Sequence, residues 1–104
     1  MGWTAWEIPG WHDDRKLRDF YKTFLHPEMI NDIAMYKASA TRDSDHARAL
    51  RASLEYLLEQ RPASTGEWWS LTRYSFQAED ELYSYLQDLY DFFYGDRAEE
   101  PIAP

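Results

Sequence analysis

Two of the three histidines in this 104-residue sequence stand beside carboxylates: His12 with Asp13 and Asp14, and His46 with Asp43 and Asp45. A helical metal site, or a histidine base oriented by a carboxylate, needs its groups on one face at i, i+3 or i+4, and adjacent residues point in different directions. Asp43 and His46 do satisfy i, i+3, but a capping aspartate followed by a surface histidine has the same offset. Both clusters are therefore expected to be solvated surface. Asp88 and Asp91 form a carboxylate pair at helical spacing, yet they lie among other acids, and a catalytic dyad needs burial that such a face lacks. Glycine occurs only at positions 2, 10, 66 and 95, which leaves no nucleophile elbow and no phosphate-cradling loop. The chain is expected to have no catalytic residue, metal or cofactor, and not to be an enzyme.

One pattern near the C-terminus is more informative. Tyr83, Gln87, Tyr90 and Tyr94 recur at i, i+4, i+7 and i+11, flanked by Asp80, Asp88 and Asp91. One reading is a wide core face whose tyrosines bury their rings and leave their hydroxyls wet. The other is an exposed aromatic stripe for a partner, since tyrosine supplies rigid contact area at low entropy cost. A stripe edged with carboxylates suits an arginine-bearing surface, where acids pair with guanidinium forks and rings stack on their planes. These seven residues, Asp80, Tyr83, Gln87, Asp88, Tyr90, Asp91 and Tyr94, are the expected partner-binding set.

Charge agrees with that choice. The formal net charge is −8, and residues 78–104 hold eight acids against one base, Arg97, so −7 of the total falls there. Such a balance repels phosphate backbones and argues against direct nucleic-acid binding. There is no cysteine, hence no disulfide framework or thiolate site, and a reducing compartment is no obstacle. No stretch approaches the roughly 20 apolar residues of a membrane span, and no signal-peptide pattern appears, so a cytoplasmic location is expected.

The elements that must position these residues are helices. A hydrophobic fraction of 44% with 17% aromatics suffices for one folded core in a chain of this size. Residues 1–11, with Trp3, Trp6 and Trp11, read as an irregular arm ending at the Pro9–Gly10 turn. Asp13 is placed to cap a helix carrying Leu17, Phe20, Tyr21, Phe24 and Leu25 on one face. Pro27 suits the first turn of a second helix, to about Ser39, with Met29, Ile30, Ile33, Ala34 and Tyr36 inward. Thr41 or Asp43 is placed to cap a third, to about Gln60, with Ala47, Leu50, Leu54, Leu57 and Leu58 as its core face. Residues 62–76 carry a capping-box spacing, Ser64 to Glu67, and read as a short helical turn beside Trp68 and Trp69, although strand or loop patterns fit too. Ser75 is placed to cap the last helix, whose core stripe is Ala78, Leu82, Tyr85, Leu86, Leu89 and Phe93, with Gly95 as a left-handed stop. Residues 96–104 are expected to form a frayed acidic tail. The expected fold is all-α: a single domain, four helices around one core, spanning 12–95 behind the arm.

The stretch from Tyr74 to Phe92 is similar to the acidic, aromatic helices of nuclease immunity proteins, over less than a fifth of the chain. The functional expectation is a small acidic inhibitor of immunity-protein or phage anti-defence (anti-CRISPR-like) type, occupying a basic surface on a nuclease or nucleic-acid-guided complex. The alternative is a structural or accessory subunit that docks into a larger assembly through its tryptophan arm and aromatic helix faces.

Overall fold

In the computed structural model, which describes residues 2–104, the chain is 63% helical with five helices and no strand. Met1, the first residue of the expected arm, lies outside the described residues. The helices are α1 (Arg15–Asp19), α2 (Lys37–Thr41), α3 (Asp45–Gln60), α4 (Thr65–Thr72) and α5 (Glu79–Tyr94). All five contribute to one apolar cluster, joined by Ile8 and Trp11 of the arm.

The boundaries follow local chemistry that differs in places from the expected caps. Asp14, not Asp13, caps α1 by accepting from the Leu17 amide. Gly10, at φ +82°, turns the chain so that the amides of Asp13 and Asp14 both donate to its carbonyl, which moves the helix start one residue on. Past Asp19 the helix widens into a π turn, Phe20–Phe24. That turn buries Phe20 and Tyr21 and sets Tyr21 edge-on to Trp68 of α4, with ring centroids 6.1 Å apart.

The second expected helix is a 3-10 segment, Ile30–Tyr36, running into the five-residue α2. The physical reason is its apolar period. Ile30, Ile33 and Tyr36 repeat every three residues, which the three-residue turn of a 3-10 helix aligns on one face, and Ile30 and Ile33 are buried while Ala34 is exposed. Ser44, not Thr41 or Asp43, caps α3 by accepting from Ala47. The Ser64–Glu67 capping box forms at the start of α4. At α5 the residue before the first turn is Ala78, not the expected cap Ser75; it offers no side-chain cap and is exposed instead of opening the core stripe. Three first-turn acids, Glu79, Asp80 and Glu81, favour that end through the helix dipole, and Glu81 also accepts from the Gln77 amide.

Gly95 ends α5 in an extended conformation (φ −111°, ψ −150°), not the expected left-handed one. Its small size still suits the site, because a Cβ there would lie 3.1 Å from the Asp91 carbonyl oxygen, a contact that only a shift of the backbone could relieve. The tail then turns back instead of fraying: Arg97 reaches Asp88 at 3.8 Å, Pro101 is buried and the Tyr74 hydroxyl donates to the Pro104 carbonyl.

A polar element inside the core is fully satisfied. The Ser53 hydroxyl donates to the Leu50 carbonyl at 2.7 Å, so the Tyr21 hydroxyl must be the donor in its 2.7 Å bond to Ser53. Leu54 of α3 and Leu86 of α5 are wholly buried. Leu54→Ala and Leu86→Ala should each lower unfolding free energy by about 2–5 kcal/mol, the range for a leucine cavity that cannot fully collapse. Urea titrations check this, and losses under about 1 kcal/mol at both positions would contradict the assigned core.

Candidate functional site

Helix α5 has seven buried residues: Leu82, Tyr83, Tyr85, Leu86, Leu89, Phe92 and Phe93. Tyr90 and Tyr94 pack partly against the same cluster. At about 100° per residue these nine occupy roughly 200° of the helix circumference. The arc that remains holds Asp80, Glu81, Ser84, Gln87, Asp88 and Asp91, and no basic residue occurs anywhere in α5. The exposed face is therefore an acid ridge, and the expected tyrosine stripe lies largely behind it.

Tyr83 shows why. It is 5% exposed, and its hydroxyl donates to the Ala63 carbonyl at 2.8 Å and accepts from the Ala63 amide at 2.9 Å. It thereby satisfies both main-chain groups of the residue that links α3 to α4. Burial raises the Tyr83 phenol pKa, with Glu79 adding to the effect. The Tyr90 hydroxyl donates to Glu55 and accepts from Arg51 Nε at 3.1 Å, both residues of α3. The Arg51 guanidinium also lies 5.2 Å from the Tyr94 ring centroid. The arginine, carboxylate and ring chemistry expected of a partner is thus met inside the chain. Arg61 does the same at the other end of α5, 4.7 Å from the Tyr83 ring and 3.1 Å from Asp80.

Of the seven expected residues, Tyr83 belongs to the core, and Tyr90 and Tyr94 are half-buried locks between α3 and α5. Asp80, Gln87, Asp88 and Asp91 share the outward arc, with Gln87 donating to Asp91 at 3.1 Å. The folded-back tail meets this surface through Arg97 on Asp88, and its acids Asp96, Glu99 and Glu100 are all exposed.

The structure also gathers a cluster that the sequence placed on solvated surface. His46, in the first turn of α3, is bonded on both ring nitrogens: Nδ1 to Asp14 Oδ2 at 2.8 Å and Nε2 to the Tyr36 hydroxyl at 2.6 Å. Its side chain is 12% exposed. Burial would raise the Asp14 carboxyl, but the His46 bond and the Leu17 amide outweigh it and hold that carboxyl below its usual range. Burial, reinforced by the carboxylates of Asp14 and Asp19, pushes the Tyr36 phenol up to about 12. Tyr36 is therefore a neutral hydroxyl near pH 7, held on His46 Nε2. His12 stays exposed, as expected. Among the described residues, no three His, Cys, Asp or Glu side chains assemble a metal site.

The tryptophans divide. Trp11 and Trp68 are core, Trp3 is half-buried with its indole N–H on the Tyr56 hydroxyl at 3.1 Å, and Trp6 and Trp69 are exposed. Trp3, Trp6 and Trp11 line a hollow of about 320 Å³ beside Lys22 and Leu71.

Neighbouring tyrosines on α5 should respond oppositely to loss of the hydroxyl. Tyr83→Phe leaves the buried Ala63 amide without its acceptor and should cost about 1–3 kcal/mol. The buried Tyr85 hydroxyl has no partner among the described residues, so Tyr85→Phe should be neutral or stabilising. Thermal melts of the two variants check the sign. Comparison with protein-family models, with curated proteins and with solved structures gave no match for the chain.

Proposed function

We propose that the protein is a small acidic inhibitor that occupies a basic, nucleic-acid-binding surface of a protein partner, in the manner of an immunity protein or a phage anti-defence antagonist. The observation that carries this reading is the composition of the one face that α5 leaves in water. Asp80, Asp88 and Asp91 mark out about 16 Å of helix at 1.5 Å per residue. The tail, with its exposed acids, meets that face through Arg97 on Asp88.

A row of carboxylates on a helix that cannot shift is pre-organised for a cationic cleft. Its buried flank fixes the backbone, so little ordering entropy remains to be lost on binding. Opposite charge steers the encounter, and each acid takes a guanidinium or ammonium that otherwise meets phosphate. The same charge disfavours direct binding of nucleic acid by this chain.

A second reading, an accessory subunit docking through aromatic faces, is favoured by a different observation. Trp6 is 70% exposed and borders the hollow between the arm and α4, and large exposed apolar groups beside a groove often mark contact surfaces.

The two readings separate in one experiment. The immobilised chain is used to capture proteins from extract at low salt, and release is followed as ionic strength rises to about 0.5 M, where surface charges are screened beyond a few ångström. Captured proteins should elute early and be displaced by added DNA or RNA. Asp88→Lys with Asp91→Lys should weaken capture by about tenfold or more, since like charges opposed across an interface cost a kcal/mol or more. A control reversal at the exposed Glu28 and Asp32 should change little. Capture that ignores salt and the ridge reversal but is lost in Trp6→Ala would contradict the inhibitor reading and favour the subunit.

A further inference from the structure

The imidazole of His46 stands between two hollows of opposite character. On one side Asp13, Asp14 and Asp45 line a cavity with Gly10 and Ala49. On the other, a cavity of about 310 Å³ is lined by Lys16, Tyr36, Ser39, Arg42, Ser44 and His46, with no acid among them. Neither Lys16 nor Arg42 is within 4.0 Å of a carboxylate among the described residues. Several other cations of the chain are also unpaired among the described residues, but Lys16 and Arg42 share one hollow whose lining contains three hydroxyls and no carboxylate, so their charge is directed at whatever enters it.

We propose that this cationic hollow binds a small tetrahedral oxyanion, of the phosphoryl or sulfuryl class, and that binding takes up a proton at His46. Lys16 and Arg42 supply the charge, and the Ser39, Ser44 and Tyr36 hydroxyls supply neutral donors. With His46 neutral and Nδ1–H donating to Asp14, Nε2 is an acceptor, and the Tyr36 hydrogen is spent on it. When Nε2 gains a proton from solvent it becomes the donor, and Tyr36 accepts. The Tyr36 hydrogen is then released to turn towards the anion, so a protonated relay offers one more donor and one more positive charge.

The other charged groups around His46 fit this switch. From the α1 start, Asp14 bonds the imidazole and Asp13 lines the hollow beside it. Asp45 of α3 lines that hollow too, but its carboxylate is paired with Arg48 at 2.6 Å. Asp19, which acts on Tyr36, is paired with Arg15 at 3.8 Å. Lys16 and Arg42 oppose protonation while the hollow is empty, and a bound dianion removes that opposition. Binding and protonation therefore reinforce each other.

Sulfate is the probe, because its charge is constant over the pH range of histidine titration. Isothermal titration of the full chain, at ionic strength fixed with chloride, should show saturable 1:1 binding. Affinity should be at least about fivefold higher at about pH 5.5 than at about pH 8, where a histidine loses its charge. Titration in buffers of different ionisation enthalpy should report proton uptake without any variant. Arg42→Gln and Lys16→Gln, both at exposed positions, should each weaken binding about tenfold, as loss of one charge-assisted contact does. His46→Gln should flatten the pH dependence. A parallel arm compares inorganic phosphate with phenyl phosphate, and tighter binding of the ester would assign the source to a small phosphomonoester instead of the free ion. The proposal is overturned if sulfate gives no saturable heat at the lower pH, if both cation variants bind as the parent does, or if binding takes up no proton.

Discussion

A surface helix in a small domain needs an apolar stripe only about 100° wide to face the core. Helix α5 commits about twice that arc, because nine of its side chains are engaged with the core. That single constraint orders the rest of the molecule. Helix α3 must run along one flank so that Arg51 and Glu55 can hold Tyr90. The α3–α4 link must pass where Tyr83 can bond both main-chain groups of Ala63. The tail must return over Tyr74 and Tyr85, and Gly95 suits that turn by lying against the Asp91 backbone.

The same constraint decides which chemistry reaches the surface. Aromatic residues on α5 are consumed by packing, whereas acids survive on the outer arc because burying them unpaired would be costly. Arg61 and Arg97 each reach one acid of that arc, Asp80 and Asp88, through exposed or half-exposed pairs. Such pairs are weak and easily exchanged. A ridge of this kind can surrender its internal partners to stronger cations without unfolding, which is what an electrostatic plug requires.

The helices with strong period and clear caps were legible in the sequence: the Leu50, Leu54 and Leu57 face of α3, the Ser64–Glu67 box of α4 and the Leu82, Leu86, Leu89 and Phe93 stripe of α5 all form as expected. Residues 28–41 were not, because the three-residue spacing of Ile30, Ile33 and Tyr36 fits a helix of period 3.6 nearly as well over two turns. The α5 tyrosines left two readings open, since deciding between them needed α3 in place to supply Arg51. The Asp14–His46–Tyr36 relay had almost no local signature. Its members lie 32 and 10 positions apart, on elements whose meeting depends on the core, and the neighbouring Asp43 and Asp45 drew attention while turning instead to Arg48. A histidine close to a helix start, with a polar aromatic residue on the preceding element, is the only hint the order of residues contains.

The centrality of α5 is tested most directly by native-state hydrogen exchange. Amides of Leu86, Leu89 and Phe93 should exchange only through global unfolding, with the same free energy and the same denaturant dependence as those of Leu54 and Leu57 in α3. The short α1 and α2 segments should open at lower cost. Exchange of the α5 amides through a local opening, several kcal/mol below the global value and insensitive to denaturant, would mean that α5 is a peripheral helix. The inward tyrosines and the fixed acid ridge would then both be wrong.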